Sequence, residues 1–197
     1  MAPTVMAELI PEFLARYPKM QVRLLASDRR VDLIGEGFDI AIRVRDKLDT
    51  DASLVLRAFG QSRVMLVAAP EFLDAHGRPS EPATLTELPL LSMQEFEGTQ
   101  SLELIGPHGA KQRIEMQARL VCGSFPVLLE AARRGLGIAT LPQMICSAAI
   151  ARGELEVVLP DWSMPLGTAH FVYPTRRGLL PGVRALVDLL AERLTLS

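Results

Sequence analysis

The chain has 197 residues, 49% of them hydrophobic, with a formal net charge of −2 and a pI near 6.0. That is ample for one or two packed cores, and it argues against a domain that grips nucleic acid through a basic stripe: the pairs Arg29-Arg30, Arg133-Arg134 and Arg176-Arg177 are isolated and offset by acids. Cys122 and Cys146 have neither CxxC nor metal-ligand spacing, and no apolar run reaches the roughly 18–20 residues of a membrane span or forms a signal segment, so the chain reads as soluble and cytoplasmic.

In chain order, Met6, Leu9, Ile10, Phe13, Leu14 and Tyr17 recur at helical spacing, which predicts an amphipathic helix over 4–17. Pro11 inside it lacks a backbone donor and predicts a kink or a late start. A short strand is predicted over Val22–Ala26. A second helix, capped by Ser27 or Asp28, follows and ends at Gly35 and Gly37. The near-continuous apolar runs FDIAIRV (38–44) and RVMLVAA (63–69) read as strands covered on both faces, in an α/β sandwich with mainly parallel strands. A helix near 71–76 and a polar loop containing Pro79 and Pro82 come next. Strands are predicted near 89–93, 101–105, 112–116 and 118–122, then a helix over 126–134, the strand GIATLP and a helix over 143–152. LEVVL and TAHFVYP close the strand set. The last helix carries Val183, Leu186, Val187, Leu190 and Leu194 on one stripe.

Three stretches invite a chemical reading. In ARRGLGIATLP (132–142) the order is helix, glycines, strand. A dinucleotide loop needs the reverse order, so that phosphate meets the positive end of a helix. Gly135 therefore reads as a left-handed helix cap, with Arg133 and Arg134 favouring the same end. In CGSFPV (122–127) a strand leads into a helix start, with Ser124 as a possible cap and Pro126 in the first turn. The unpaired N–H groups there could seat a carboxylate, or the serine could simply close the helix. LLASDRR (24–30) has the same strand-to-helix logic, placing Ala26 and Ser27 where open α/β sheets bind ligands. No nucleophile elbow surrounds Ser124, no base is marked for Cys122, and His76, His108 and His170 are scattered. Neither an enzyme nor a metal or cofactor site is expected.

The phrases EFLARYPKMQVRL, SDRRVDLIGEGFDIAIRV, DTDASLVLRAFGQSRVMLVAAPEFLDAHGRP, LLEAARRGLGIATLP and LPGVRALVDLLAERL, taken in order, resemble the effector-binding domain of LysR-type transcriptional regulators over nearly the whole chain. The resemblance implies a two-lobed fold like that of type 2 periplasmic binding proteins. Its two Rossmann-like lobes would be joined by two crossover strands: lobe I over 1–68 and 164–197, lobe II over 69–163. It implies a small effector held by Thr4, Ala26, Ser27, Val44, Gly123, Ser124 and Phe125, with Thr140 and Phe171 on the pocket wall. Arg43, Arg45 and the helix start at Ser124 favour an anion, such as a carboxylate. It also implies a homodimer formed by lobe I on lobe II, with the helix over 4–17 and the strand over 22–26 as interface elements. DNA would be contacted only through an N-terminal winged helix-turn-helix that this sequence does not contain. The family's first strand of lobe I likewise has no counterpart here. The competing expectation is an extracytoplasmic solute-binding protein of the same fold.

Overall fold

The computed structural model describes residues 2–25, 32–46, 48, 53–93, 99–174 and 179–193, with backbone only at 2–5. It divides into two compact units, Met1–Ser62 with Gly167–Ser197, and Arg63–Leu166. The first division falls earlier than the expected 68/69 because Val64–Ala68 finds its ladder in the second unit, where Val64 lies opposite Pro142.

In the first unit, helix α1 (Ala2–Arg16) buries Met6, Leu9 and Phe13, and Tyr17 sets its ring 5.0 Å from that of Phe13. The helix runs through Pro11, which sits on its exposed side. Strands β1 (Ala41–Arg45), β2 (Leu54–Ser62) and β9 (Gly167–Pro174) form an antiparallel sheet in the order β1-β9-β2. Ile42, Val44, Phe59, Ala169 and Phe171 meet Met6 and Leu9 of α1 and Val187 and Leu190 of α5 (Pro181–Arg193) in one core. Arg193 of α5 ties to Glu12 of α1 at 2.7 Å, and Glu12 also accepts from Arg16 at 3.2 Å. Such exposed pairs add little stability.

Several expectations change in this unit. Gln21–Leu25 joins no ladder, and Leu24 and Leu25 are exposed, so the predicted strand over 22–26 is absent as far as it is described. Its apolar residues have no described neighbour strand to pair with. Of the second helix only the turn Leu33–Gly37 is described, closed by the Phe38 N–H on the Leu33 carbonyl at 2.9 Å; Ala26, Ser27 and Asp28 lie outside the described residues. Strand β2 was not anticipated. Its apolar alternation is broken by a bulge between Ala58 and Gly60, which puts the core residue Phe59 out of step.

The second unit is a three-layer α/β/α body. Its six strands run β5-β6-β4-β7-β3-β8, from Thr99–Ile105 (β5), Lys111–Val121 (β6), Leu90–Ser92 (β4), Ile138–Pro142 (β7), Val64–Ala68 (β3) and Glu156–Val157 (β8). Alternate residues serve opposite faces, as the pleat requires. Leu66, Leu90 and Ile138 pack with Phe72 and Leu73 of α2 (Pro70–His76) and with Leu85 of a 3-10 turn over Pro82–Glu87. Val67, Leu91, Ala139 and Leu141 pack with Leu128 and Ala132 of α3 (Phe125–Arg133) and Cys146 of α4 (Gln143–Ala151).

Pairing corrects the expectation of mainly parallel strands. Among the described residues only β4 has parallel partners, β6 and β7; every other ladder is antiparallel. The two strands predicted at 112–116 and 118–122 are one strand, β6, whose outer half pairs with β5 in a hairpin and whose inner half pairs with β4. Gly135 confirms its reading. With φ at 70° it caps α3, its N–H donating to the Ala132 carbonyl (2.9 Å) while Leu136 N–H donates to that of Ala131 (3.1 Å). This closure satisfies two carbonyls that a helix end leaves orphaned.

Candidate functional site

Open α/β sheets bind ligands at the carboxyl ends of their parallel strands, and the second unit has one such edge. Ser92 at the end of β4 lies beside Val121 of β6, and Leu91 lies beside Ala139 of β7, so Thr140 is level with Ser92 on the far side. The loop Cys122–Ser124 leaves β6 at this edge and enters α3, pinned by the Cys122 N–H on the Ser92 carbonyl at 3.1 Å. Gly123, Ser124, Phe125 and Thr140 are thus brought to one edge, about two strand spacings (roughly 10 Å) across.

The start of α3 is open. Ser124 holds the N-cap position in extended conformation (φ −130°, ψ 105°), but its hydroxyl makes no capping hydrogen bond. The ladder begins with the Leu128 N–H on the Ser124 carbonyl at 3.1 Å. The earlier amides, Phe125 and Val127, have no partner within the helix, and Pro126 has no N–H to offer. Gly123 is exposed, and Ser124 and Phe125 are half-buried. The neighbouring helix differs: the Gln143 N–H that opens α4 already donates to the Arg63 carbonyl at 2.9 Å. Replacing Ser124 by alanine is therefore expected to cost less than about 0.5 kcal/mol, against roughly 0.5–2 for a serine that caps. Chemical denaturation measures this, and a loss of 1 kcal/mol or more would restore the side-chain cap.

The other expected site residues fare differently. The side chain of Thr4, and Ala26 and Ser27 entirely, lie outside the described residues. Val44 stands on β1 opposite Ala169 and leans into the core of the first unit. Phe171 has no exposed surface; its ring stacks at 6.0 Å from Phe59 and 6.2 Å from Tyr173. That placement is structural. Arg63, which sequence reading passed over, is exposed at the α3–α4 edge, and its guanidinium has no ion pair among the described residues. Only the antiparallel pairing of β3 with β7 brings it there.

His170 was also passed over as one of three scattered histidines. It is 3% exposed in β9, directly opposite Arg43 of β1. Burial first, then the positive charges of Arg43 and Arg45, hold its pKa below the ordinary value. The fold therefore prefers the neutral ring. Its stabilising contribution is complete above about pH 6.5, the unfolded value, and is lost as the pH falls from there towards the lower folded value. Thermal unfolding between pH 8 and 5 is expected to show this acid loss, and His170→Gln to flatten it; an unchanged slope in that variant would assign the loss elsewhere.

At the far ends of α3 and α4, Glu71, Glu130, Arg133, Arg134, Gly153 and Glu154 line an open polar depression. Most of its charges are paired: Arg133 reaches Glu154 (2.9 Å) and Glu130 (3.0 Å), Arg134 reaches Glu130 (2.7 Å) and Arg152 reaches Glu154 (2.8 Å). Hydrogen bonds from Arg134 and Arg152 hold the Glu130 and Glu154 carboxyls below the ordinary range. This network closes helix ends and leaves no arginine of the depression without a carboxylate. Cys146 is buried, which raises its thiol pKa, and it donates to the Pro142 carbonyl at 3.5 Å. Among the described residues no cluster of His, Cys, Asp or Glu could hold a metal, and no helix is long and apolar enough to cross a membrane.

The model of the LysR substrate binding domain matches residues 1–195. An uncharacterized HTH-type transcriptional regulator of Haemophilus influenzae is 33% identical over 171 residues, covering 86% of this chain and 58% of that protein. The HTH-type transcriptional activator AaeR of Escherichia coli strain K12 is 31% identical, over 98% of this chain and 61% of its own length. The chain thus spans about three-fifths of these relatives. Among solved structures, the regulatory domain of AphB from Vibrio vulnificus superposes with a TM-score of 0.82 at 26% identity, over 95% of this chain and 91% of that one. The regulatory domain of CrgA from Neisseria meningitidis gives 0.74 at 26% identity, over 96% and 91%.

Proposed function

The chain belongs to the LysR substrate binding domain family, and from that premise we propose that it is the effector-sensing part of a longer transcriptional regulator and that its effector is a small carboxylate. In this reading ligand occupancy controls transcription through a DNA-binding domain of the full-length protein, which works as a homodimer. A ligand can drive such a change only through its differential affinity for two states of the domain.

The observation that carries the anionic preference is the uncapped first turn of α3 at the carboxyl edge of the second unit's sheet. Amides at a helix start carry partial positive charge and favour a carboxylate. Gly123, Ser124 and Phe125 are assigned to the acidic group, with Thr140 flanking it. Arg43 and Arg45 of β1, in the first unit, are further residues whose charge favours an anionic effector. The residues proposed to hold the effector bind it and do no covalent chemistry.

A thermal-shift panel of organic acids, neutral isosteres and amines tests this. A carboxylate at a hundred times its Kd should stabilise by about 2.7 kcal/mol, a shift of several degrees. Stabilisation confined to neutral or cationic compounds would overturn the anionic reading.

A further inference from the structure

We propose that residues 159–166 form a latch on the second unit, pinned to β5 when closed and released from it as one piece, with Leu159 as its strained pivot. The inference goes beyond effector binding and does not depend on what the effector is.

β8 and β5 are the opposite edges of the six-stranded sheet. Beyond β8 the chain is first held by the Val158 N–H on the Leu66 carbonyl at 2.8 Å. It then turns, with the Trp162 N–H on the Leu159 carbonyl at 2.9 Å, and reaches the side of β5 that faces away from β6. There Ser163 pairs with Ile105: the Ile105 N–H donates to the Ser163 carbonyl (2.7 Å) and the Ser163 N–H to the Ile105 carbonyl (2.9 Å). The Trp162 ring lies against Gly106, where a β-carbon would stand 2.7 Å from it. Trp162 and Met164 are half-buried on the core that α2 covers, while Pro160, Asp161, Ser163 and Leu166 are exposed. The chain leaves the second unit at Leu166 and enters β9 at Gly167.

Leu159 lies in the left-handed region, with φ at 54°, and its side chain is buried. A bulky residue is an outlier there, and Pro160 pushes the residue before it towards extended backbone. The other non-glycine residue of this kind among the described ones, His108, sits in an exposed turn. Such backbone persists only while its surroundings hold it. Leu159 is held by its side chain, packed in the same core as Phe72 and Leu104, and by the turn, the Trp162 ring and the Ser163 bridge. The last three sit on adjacent residues, so losing the bridge loosens the ring and the turn and lets the Leu159 backbone relax. Few buried contacts and exposed hydrogen bonds mark segments that open before a domain unfolds. Opening turns a pinned passage between β8 and β9 into free chain. That gives the domain a second state, of the kind a ligand's differential affinity selects.

Native-state hydrogen exchange on the whole chain tests this. The amides of Ile105, Trp162 and Ser163 should exchange together, at least about tenfold faster than that of Ile138 in β7, and with a weaker dependence on urea. Leu128→Ala empties a site in the core on the other face of the sheet, which latch opening leaves intact. It should therefore speed exchange at Ile138 and leave the three latch amides unchanged. Leu159→Ala and Leu159→Gly both lose the buried side chain, but only glycine is at ease in the left-handed region. The latch amides should exchange several-fold more slowly in the glycine variant than in the alanine variant. Wild-type exchange of the three amides at the rate of Ile138, or equal acceleration of all four in Leu128→Ala, overturns the latch. Exchange in Leu159→Gly as fast as in Leu159→Ala, or faster, overturns the role of Leu159 as its strained pivot.

Discussion

Replacing Phe171 by alanine is expected to lower stability by about 3–5 kcal/mol, the usual cost of emptying a buried aromatic site. Phe171 is fully buried in the central strand of the first unit's sheet, between the rings of Phe59 and Tyr173 and against α1 and α5. No smaller neighbour is placed to refill the space, because the sheet fixes both flanking strands through their ladders with β9. Phe171→Leu keeps most of the volume and should cost about 1.5 kcal/mol or less. Urea unfolding followed by far-ultraviolet circular dichroism measures both. The family resemblance places this residue on an effector pocket wall; a variant with near-normal stability and weakened carboxylate binding would support that role against the buried one.

Gly137→Ala is expected to cost at least about 3 kcal/mol, the upper end for forcing a methyl group into a packed site. A β-carbon there would stand 2.4 Å from the Pro89 carbonyl oxygen. That oxygen cannot step aside, since it accepts the Ile138 N–H at 2.9 Å where β7 begins to pair with β4. The substitution strikes the parallel core of the second unit, whose packing includes Trp162, the only tryptophan in the chain. Tryptophan fluorescence during denaturation therefore follows this variant directly. Gly135→Ala makes the control, because the space around it is open, its nearest neighbour being the Phe72 β-carbon at 3.7 Å, and only its left-handed backbone is penalised, by about 1 kcal/mol. Equal losses at the two positions would mean that close approach to Pro89 is not what position 137 requires.

Elements with an unbroken period were legible beforehand. The stripe Met6, Leu9, Phe13 became α1, Val187 and Leu190 became the buried side of α5, and the apolar runs around Leu66 and Ala139 became β3 and β7. The segment 22–26 misled because apolar content alone does not supply a pairing partner, and β2 was hidden because its bulge disrupts the alternation. Of the candidate site, Gly123, Ser124 and Phe125 could be found from local order alone, strand then serine then proline then helix. Whether Ser124 caps that helix could not, since a hydroxyl's choice of rotamer depends on what surrounds it.

Composition, periodicity and the ordered phrases were enough to establish an α/β chain with the family's pattern, because apolar spacing and turn residues act within a few positions of one another. Strand direction, register and the grouping of distant charges were settled only in three dimensions. Arg63 reaches the edge of β7, and His170 comes to face Arg43, through ladders between segments far apart in the chain. A hydrogen-bond ladder accepts almost any side chain, so its partners leave no local trace in either strand.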